Sequence, residues 1–407
     1  MIAKRNFTSL WVCVLGLSAS LAASADPLHV YLTYSGAPET SIDINVIEPG
    51  TVKAVEIYYD TKPHHGEHGA YPNKAEAKYH KTHIEQTDGR TIHAAALTGL
   101  KPDQTYYFIA GEATNGFSKE RAFRTLPGGK ASFRFVDGGD MGVQDQVVTL
   151  LKQAARQNPY FAVIGGDIAY EEELSGFATW DDWLSNWEYY MVTPDGLTIP
   201  LVLAIGNHEV QSGPGVGPSL EDRSPWYVGL FGRQGANIYH EFRVGDNAVF
   251  FLLDTNHLVP HLGEQSDWLT QRLDASQNVK YRFAAYHVPL YPALRPFDGA
   301  GSKLGREAWL PIFDRYGLTA AFEHHDHVLK RTKPLKNGKV VEKGQGTIYF
   351  GDGCFGKDAR EVEKEKRWYN DLQESIPHFW LVEVTSNGLQ FKAIDESGKT
   401  VDDYSLP

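Results

Sequence analysis

"FAVIGGDIAY", residues 161 to 170, decides the fold. A short apolar run closed by two glycines is the pattern of a strand. Asp167 and Tyr170, both able to bind a metal or a proton, come just past its end. Working outward, the same order recurs: "FRFVDGGD" ends at Asp140, "LVLAIGNH" at Asn207 and His208, "YRFAAYH" at His287, and "LTAAFEHHDH" at His325 and His327. The carboxyl ends of strands in α/β sheets open onto the ligand crevice. Five strand ends therefore aim their donors at one place.

Between these runs lie helix-length stretches, "VQDQVVTLLKQAARQ" and "WDDWLSNWEYYM" among them. Trp180, Trp183 and Trp187 recur at spacings of three and four, a core stripe on a helix. Strand–helix alternation predicts a layered α/β (α+β) domain over residues 131–407, two central sheets flanked by helices. "HFWLVEVTSNGLQFKAID" reads as a hairpin turning at Asn387-Gly388. Residues 26–127 read instead as an all-β sandwich: "HVYLTY", "SIDINVI", "AVEIYYD" and "TYYFIAG" are β-branched and aromatic runs between turns. In "LTGLKPDQTYYFIAG", Tyr106 follows Pro102 by four residues, as in the tyrosine corner of fibronectin type III-like domains. Pro127, Gly128 and Gly129 then make a linker.

The donors narrow the chemistry. Two aspartates, an asparagine, three histidines and a tyrosine suit first-row transition metals better than Ca²⁺. Seven donors exceed one tetrahedral site and fit two ions sharing a carboxylate. Such a pair, roughly 3.5–4 Å apart, is the arrangement for phosphoester hydrolysis: one ion helps generate hydroxide and both clamp the phosphate.

"GGDMG", "GGDIAY", "IGNHE", "AAYH" and "HHDH", in this order, resemble the metallophosphoesterase blocks in their purple acid phosphatase form. "FRTLP", "FFLLDT", "EQSDWL" and "GTIYFGDG" fit as well, as does the amino-terminal sandwich. The resemblance implies that Asp140, Asp167, Tyr170 and His327 hold Fe³⁺. It implies that Asn207, His287 and His325 join the bridging Asp167 around a divalent ion, Fe²⁺, Zn²⁺ or Mn²⁺. Tyr170 is diagnostic, since a phenolate favours Fe³⁺ and colours such proteins. His208 would meet the substrate as a phosphate-binding hydrogen-bond donor or general acid. Read as extended backbone, His325 and His327 share a face that His324 and Asp326 do not.

Two departures stand out. His324 occupies a family glycine position, and glycine tolerates turns that histidine resists. The loop after the fourth block, "HVPLYPALRPF", lacks the histidines of plant members, so Arg295 is expected to take over phosphate contact through its planar fork. Lys330 and Arg331 are candidates for added positive charge. "HHGEH", His64 to His68, reads as a solvated loop, Cys354 as a buried inert thiol, and "EVEKEKRW" as a solvated helix face.

The chain has 407 residues, 42% hydrophobic and 12% aromatic, enough for a real core. Residues 1–25 read as a signal peptide: Lys4 and Arg5, an apolar stretch containing Cys13, then Ala23-Ser24-Ala25 with cleavage after Ala25. The mature protein is therefore expected to be secreted or periplasmic and free of membrane. With one cysteine left, it has no internal disulfide. Loss of Lys4 and Arg5 takes the net charge from −12 to −14, against a nucleic-acid partner. The sequence points to a phosphomonoesterase acting on small phosphate esters in acid to neutral conditions. A phosphodiesterase or nucleotidase on the same metals stays open, as do a non-catalytic binding protein and hydrolysis of a non-phosphate ester. Substrate, divalent metal and oligomeric state are not written in it.

Overall fold

The computed structural model describes residues 26–407 apart from 51, 53, 173–175, 212, 215, 216, 218, 233–237 and 352. The leader and its cleavage site lie outside the described residues.

The N-terminal part is all β. Strands from His29–Thr33 to Arg121–Arg124 form one eight-stranded antiparallel sheet, the last strand branching off Thr105–Glu112, that folds over a core including Leu32, Ile44, Val46, Ile57, Phe108 and Phe123. The tyrosine corner is present: the Lys101 amide donates to the Tyr106 hydroxyl at 2.9 Å.

The larger part is four layers thick. One sheet orders its strands Leu201–Ala204, Phe161–Gly165, Phe133–Gly138, His378–Thr385, Gly388–Asp395, Thr400–Leu406. The other runs His240–Val244, Ala248–Leu252, Tyr281–Ala285, Ala320–Phe322, Ile348–Gly351, Leu329–Thr332, Asn370–Glu374. Side chains alternate across each strand, which sorts them between layers. Phe161 and Val163 enter the core between the sheets, while Ala162 and Ile164 face the outer helices. Phe250 and Phe283 point inward, and Val249, Phe251 and Ala284 outward. At the centre Phe135 stacks on Phe161 at 5.3 Å and meets the edge of Phe250 at 4.9 Å.

Helices Asp145–Arg156 and Gly176–Tyr190 cover the first sheet, Glu264–Ala275 and Ala300–Tyr316 the second. Trp180, Trp183 and Trp187 are all buried on Gly176–Tyr190. The three first-sheet strands that end at predicted donors are mutually parallel, and in the second sheet Ala248–Leu252, Tyr281–Ala285 and Ala320–Phe322 are too. The expected hairpin is present, with its two-residue turn at Ser386-Asn387, one residue earlier than the Asn387-Gly388 expected, because Gly388 already pairs with Thr385.

"EVEKEKRW" corrects the sequence reading: residues 361–368 form no helix. The segment has no apolar stripe to bury. It is held by Arg367, whose guanidinium donates to the carbonyls of Pro292, Leu294 and Arg295. Cys354 is buried, as anticipated. The His64–His68 loop is tied to its own sandwich, through His64 on Asp60 at 2.8 Å and His68 stacked on Phe117.

Candidate metal centre

The structure brings the predicted donors of five strand ends together. Atoms of Asp167, His287 and His325 lie within 4.8 Å of one another. His287 Nε2 is 3.0 Å from Asp167 Oδ2 and 3.0 Å from His325 Nδ1. On the other side, His327 Nε2 stands 2.8 Å from Asp140 Oδ1, and the Tyr170 hydroxyl is 3.2 Å from each of those two groups. Asp140 Oδ2 accepts the His325 amide at 2.8 Å, which ties the two halves together.

Backbone conformation marks the same residues. Asp140, Asp167, Tyr170, His325 and His327 all have φ between 50° and 77°. Non-glycine residues held in that left-handed region cluster at functional sites, where surrounding structure offsets the strain. Here lies a correction to the geometry expected at 325–327. His325 and His327 are left-handed, not extended, and a tight turn (Asp326 amide to His324 carbonyl, 3.0 Å) aims both inward.

The donor set fits metal ions. Asn207 Oδ1 is buried without a hydrogen-bond partner, a costly state that a cation would relieve. His287 Nδ1 donates to the Gly165 carbonyl at 3.0 Å, which leaves Nε2 facing the cluster as a ligand nitrogen. Burial alone would lower the His287 pKa, but Asp167 and Asp140 outweigh it and lift it to about 9. Burial, followed by the charges of His287 and Arg295, pushes His325 down to about 2. Burial first, then Asp140, Asp167 and Glu209, raises the Tyr170 phenol. Without a cation, then, the site resists a phenolate.

His208 sits beside this set. Its ring lies 4.0 Å from the Tyr170 ring, its amide donates to Asp167 Oδ1 at 2.9 Å, and its Nδ1 pairs with Glu172. Arg295 reaches the turn that carries His325. Its Nη1 donates to Asp326 Oδ1 at 3.0 Å and to the His325 carbonyl at 2.9 Å, so it braces the ligand turn. Lys330 and Arg331 lie away from the donors. Lys330 is fully buried on Glu323 at 2.5 Å, and Arg331 pairs with Asp371 and Asp402. Alternation explains it: both belong to strand Leu329–Thr332, whose side chains enter the sheet layers.

His324 is buried, with Nδ1 on the Tyr286 carbonyl at 2.9 Å and Nε2 3.5 Å from Asp137. Its ring lies where side chains at Gly165 and Gly139 would go: a Cβ on Gly165 would come within 1.8 Å of it.

Two contributors escaped sequence reasoning. Glu209 is buried, and its carboxylate accepts the amides of Ile168 at 2.7 Å, Asp167 at 2.8 Å and Gly206 at 2.9 Å. Glu172 is the other, on His208. For Glu209 the signal was its place in "GNHE"; Glu172 had none.

Residues 27–125 match the purple acid phosphatase N-terminal domain, and residues 138–329 the calcineurin-like phosphoesterase domain. Purple acid phosphatase 15 of Arabidopsis thaliana is 24% identical over 369 residues, 82% of this chain and 67% of its own. Purple acid phosphatase 21 of the same plant is 26% identical over 298 residues, 70% of this chain and 64% of its own. The chain thus spans about two thirds of the length of these relatives. The purple acid phosphatase from yellow lupin (Lupinus luteus) seeds superposes with a TM-score of 0.79 at 19% identity, covering 94% of this chain and 74% of that one.

Proposed function

The chain belongs to the calcineurin-like phosphoesterases and carries the N-terminal domain of the purple acid phosphatases, and on that premise we propose that it is an exported dinuclear-metal phosphomonoesterase. The observation that carries this reading is the convergence of Asp167, His287 and His325, with five of the seven expected ligands held left-handed. Asp140, Asp167, Tyr170 and His327 would hold Fe³⁺; Asp167, Asn207, His287 and His325 would hold the divalent ion. When bound, the ions supply the positive charge that draws in phosphate and lowers the pKa of water toward the working range.

The chain's own residues do the rest. His208, oriented by Glu172 and by its amide bond to Asp167, presents Nε2 to the substrate to hold or deliver a proton. Arg295 keeps the His325 turn in place by tying its carbonyl to Asp326. Glu209 fixes the strand-end turn that offers Asp167. Among the described residues no helix is long and apolar enough to cross a membrane.

The test pairs metal analysis of the purified chain with hydrolysis of p-nitrophenyl phosphate and its bis-ester. About two metals per chain, monoester turnover well above diester turnover, and a visible band lost in Tyr170→Phe support the reading. Preferred diester turnover moves the assignment to a phosphodiesterase. A protein that takes up no metal and hydrolyses neither ester refutes both.

A further inference from the structure

We propose that His257 is a second substrate-contacting histidine, meeting the phosphoryl group beside His287 as His208 does beside Tyr170. The proposal rests on the phosphoesterase reading above and extends it to a residue outside the five blocks.

His257 belongs to a sixth strand end. Strand Ala248–Leu252 runs parallel to Tyr281–Ala285, so the loop after it opens on the same side as the loop that carries His287. The two imidazole rings lie 5.7 Å apart at 59°. The His208 ring lies 4.0 Å from that of Tyr170. Each half of the donor set therefore has one histidine at its side that is not counted among the ligands.

The loop that holds His257 is built for precision. Buried Asp254 accepts the amides of His257, Leu258 and Val259 at 2.8, 2.8 and 2.6 Å. Gln265 locks Asp254 in turn, accepting its amide at 2.8 Å and donating to its carbonyl at 2.9 Å. Asn256, immediately before His257, has φ 68°, a further left-handed residue in this crevice. The Thr255 hydroxyl is 3.0 Å from His257 Nε2 and accepts the Val288 amide at 3.1 Å, coupling the loop to the residue after His287. A carboxylate buried to fix three successive amides holds a side chain where its position matters.

His257 is partly exposed, and its bond to Thr255 engages only one ring nitrogen, so the other can donate to an anion. "HVPLYPALRPF" after the fourth block has no histidine beyond His287, and Arg295 uses one guanidinium nitrogen, Nη1, on Asp326.

The experiment uses the mature chain loaded with metal, as wild type, His257→Ala and His257→Asn. Inorganic phosphate binding is measured by calorimetry and p-nitrophenyl phosphate turnover by steady-state kinetics. His257→Ala should weaken phosphate binding and kcat/KM about tenfold or more, the size of one hydrogen bond to a charged group, at unchanged metal content and Tm. His257→Asn keeps a donor and should recover part of the loss. Unchanged phosphate affinity overturns the proposal. So does a loss of affinity accompanied by loss of metal, which would make His257 a prop for His287. A wild type that binds phosphate without cleaving any ester refutes the phosphatase reading alone, because the phosphate titration still reports on His257.

Discussion

At the scale of single residues, the site rests on exchanges of space and hydrogen bonds that no single position reveals. His324 fills the volume over Gly165 and Gly139. Gly165→Ala should therefore abolish soluble expression or cost several degrees of Tm, and adding His324→Gly should restore part of it by emptying that volume; a thermal-melt double-mutant cycle checks the coupling. Glu209 satisfies three buried amides at once, and Glu209→Ala leaves them orphaned at about 1–3 kcal/mol each. Urea unfolding should show the loss, and metal affinity should fall with it because the Asp167 turn is no longer fixed. The clustering of the candidate donors was legible in the sequence because each is a chemically marked residue at the end of an apolar run. Glu209, Glu172 and His257 were harder to find because their importance lies in what the fold brings to them. The turn at His325–His327 was misjudged for a related reason: sequence shows adjacency, while the sign of φ depends on what packs around it.

Elements were legible where burial imposes a period. The strands of both sheets and helix Gly176–Tyr190 followed their apolar spacing closely. On that helix Trp183 and Trp187 stack at 5.3 Å and both face the first sheet. Trp183→Ala should cost about 3–5 kcal/mol, read as a lowered urea midpoint with unchanged slope. "EVEKEKRW" offered charge alternation without an apolar stripe, and its chain path is set by Arg367 anchoring three distant carbonyls. Lys330 and Arg331 were misplaced because their charge suggested a part in holding phosphate. Their strand pairs on both edges, with Ile348–Gly351 and Asn370–Glu374, and draws them inside to carboxylate partners.

For the whole molecule, the N-terminal sheet is joined to the larger part through ion pairs around one histidine. His29 lies 3.1 Å from Asp181 and 2.7 Å from Glu188, both on helix Gly176–Tyr190, and Arg90 and Arg121 pair with the same two acids. Burial alone would lower the His29 pKa, but Asp181 and Glu188 outweigh it and raise it above the usual 6.5. A raised folded-state value means the contribution is fully present below pH 6.5 and is lost as pH climbs through the higher folded value. Urea midpoints measured from pH 5 to 9 should therefore fall on the alkaline side, and His29→Gln should flatten that fall. If the two profiles are parallel, His29 does not couple the parts.

Tyr31 gives this junction a historical meaning. Its ring packs on Phe231 at 5.6 Å and its hydroxyl donates to the Leu230 carbonyl at 2.7 Å, inside the cluster that holds Trp180 and Trp183. A sandwich that lends core residues to its neighbour cannot be traded like a detachable cassette. Gene fusion or exchange at the Pro127–Gly129 linker would leave a seam of mismatched volumes, so lineages carrying this pair are expected to inherit both halves together and to drift in step across Tyr31 and Phe231.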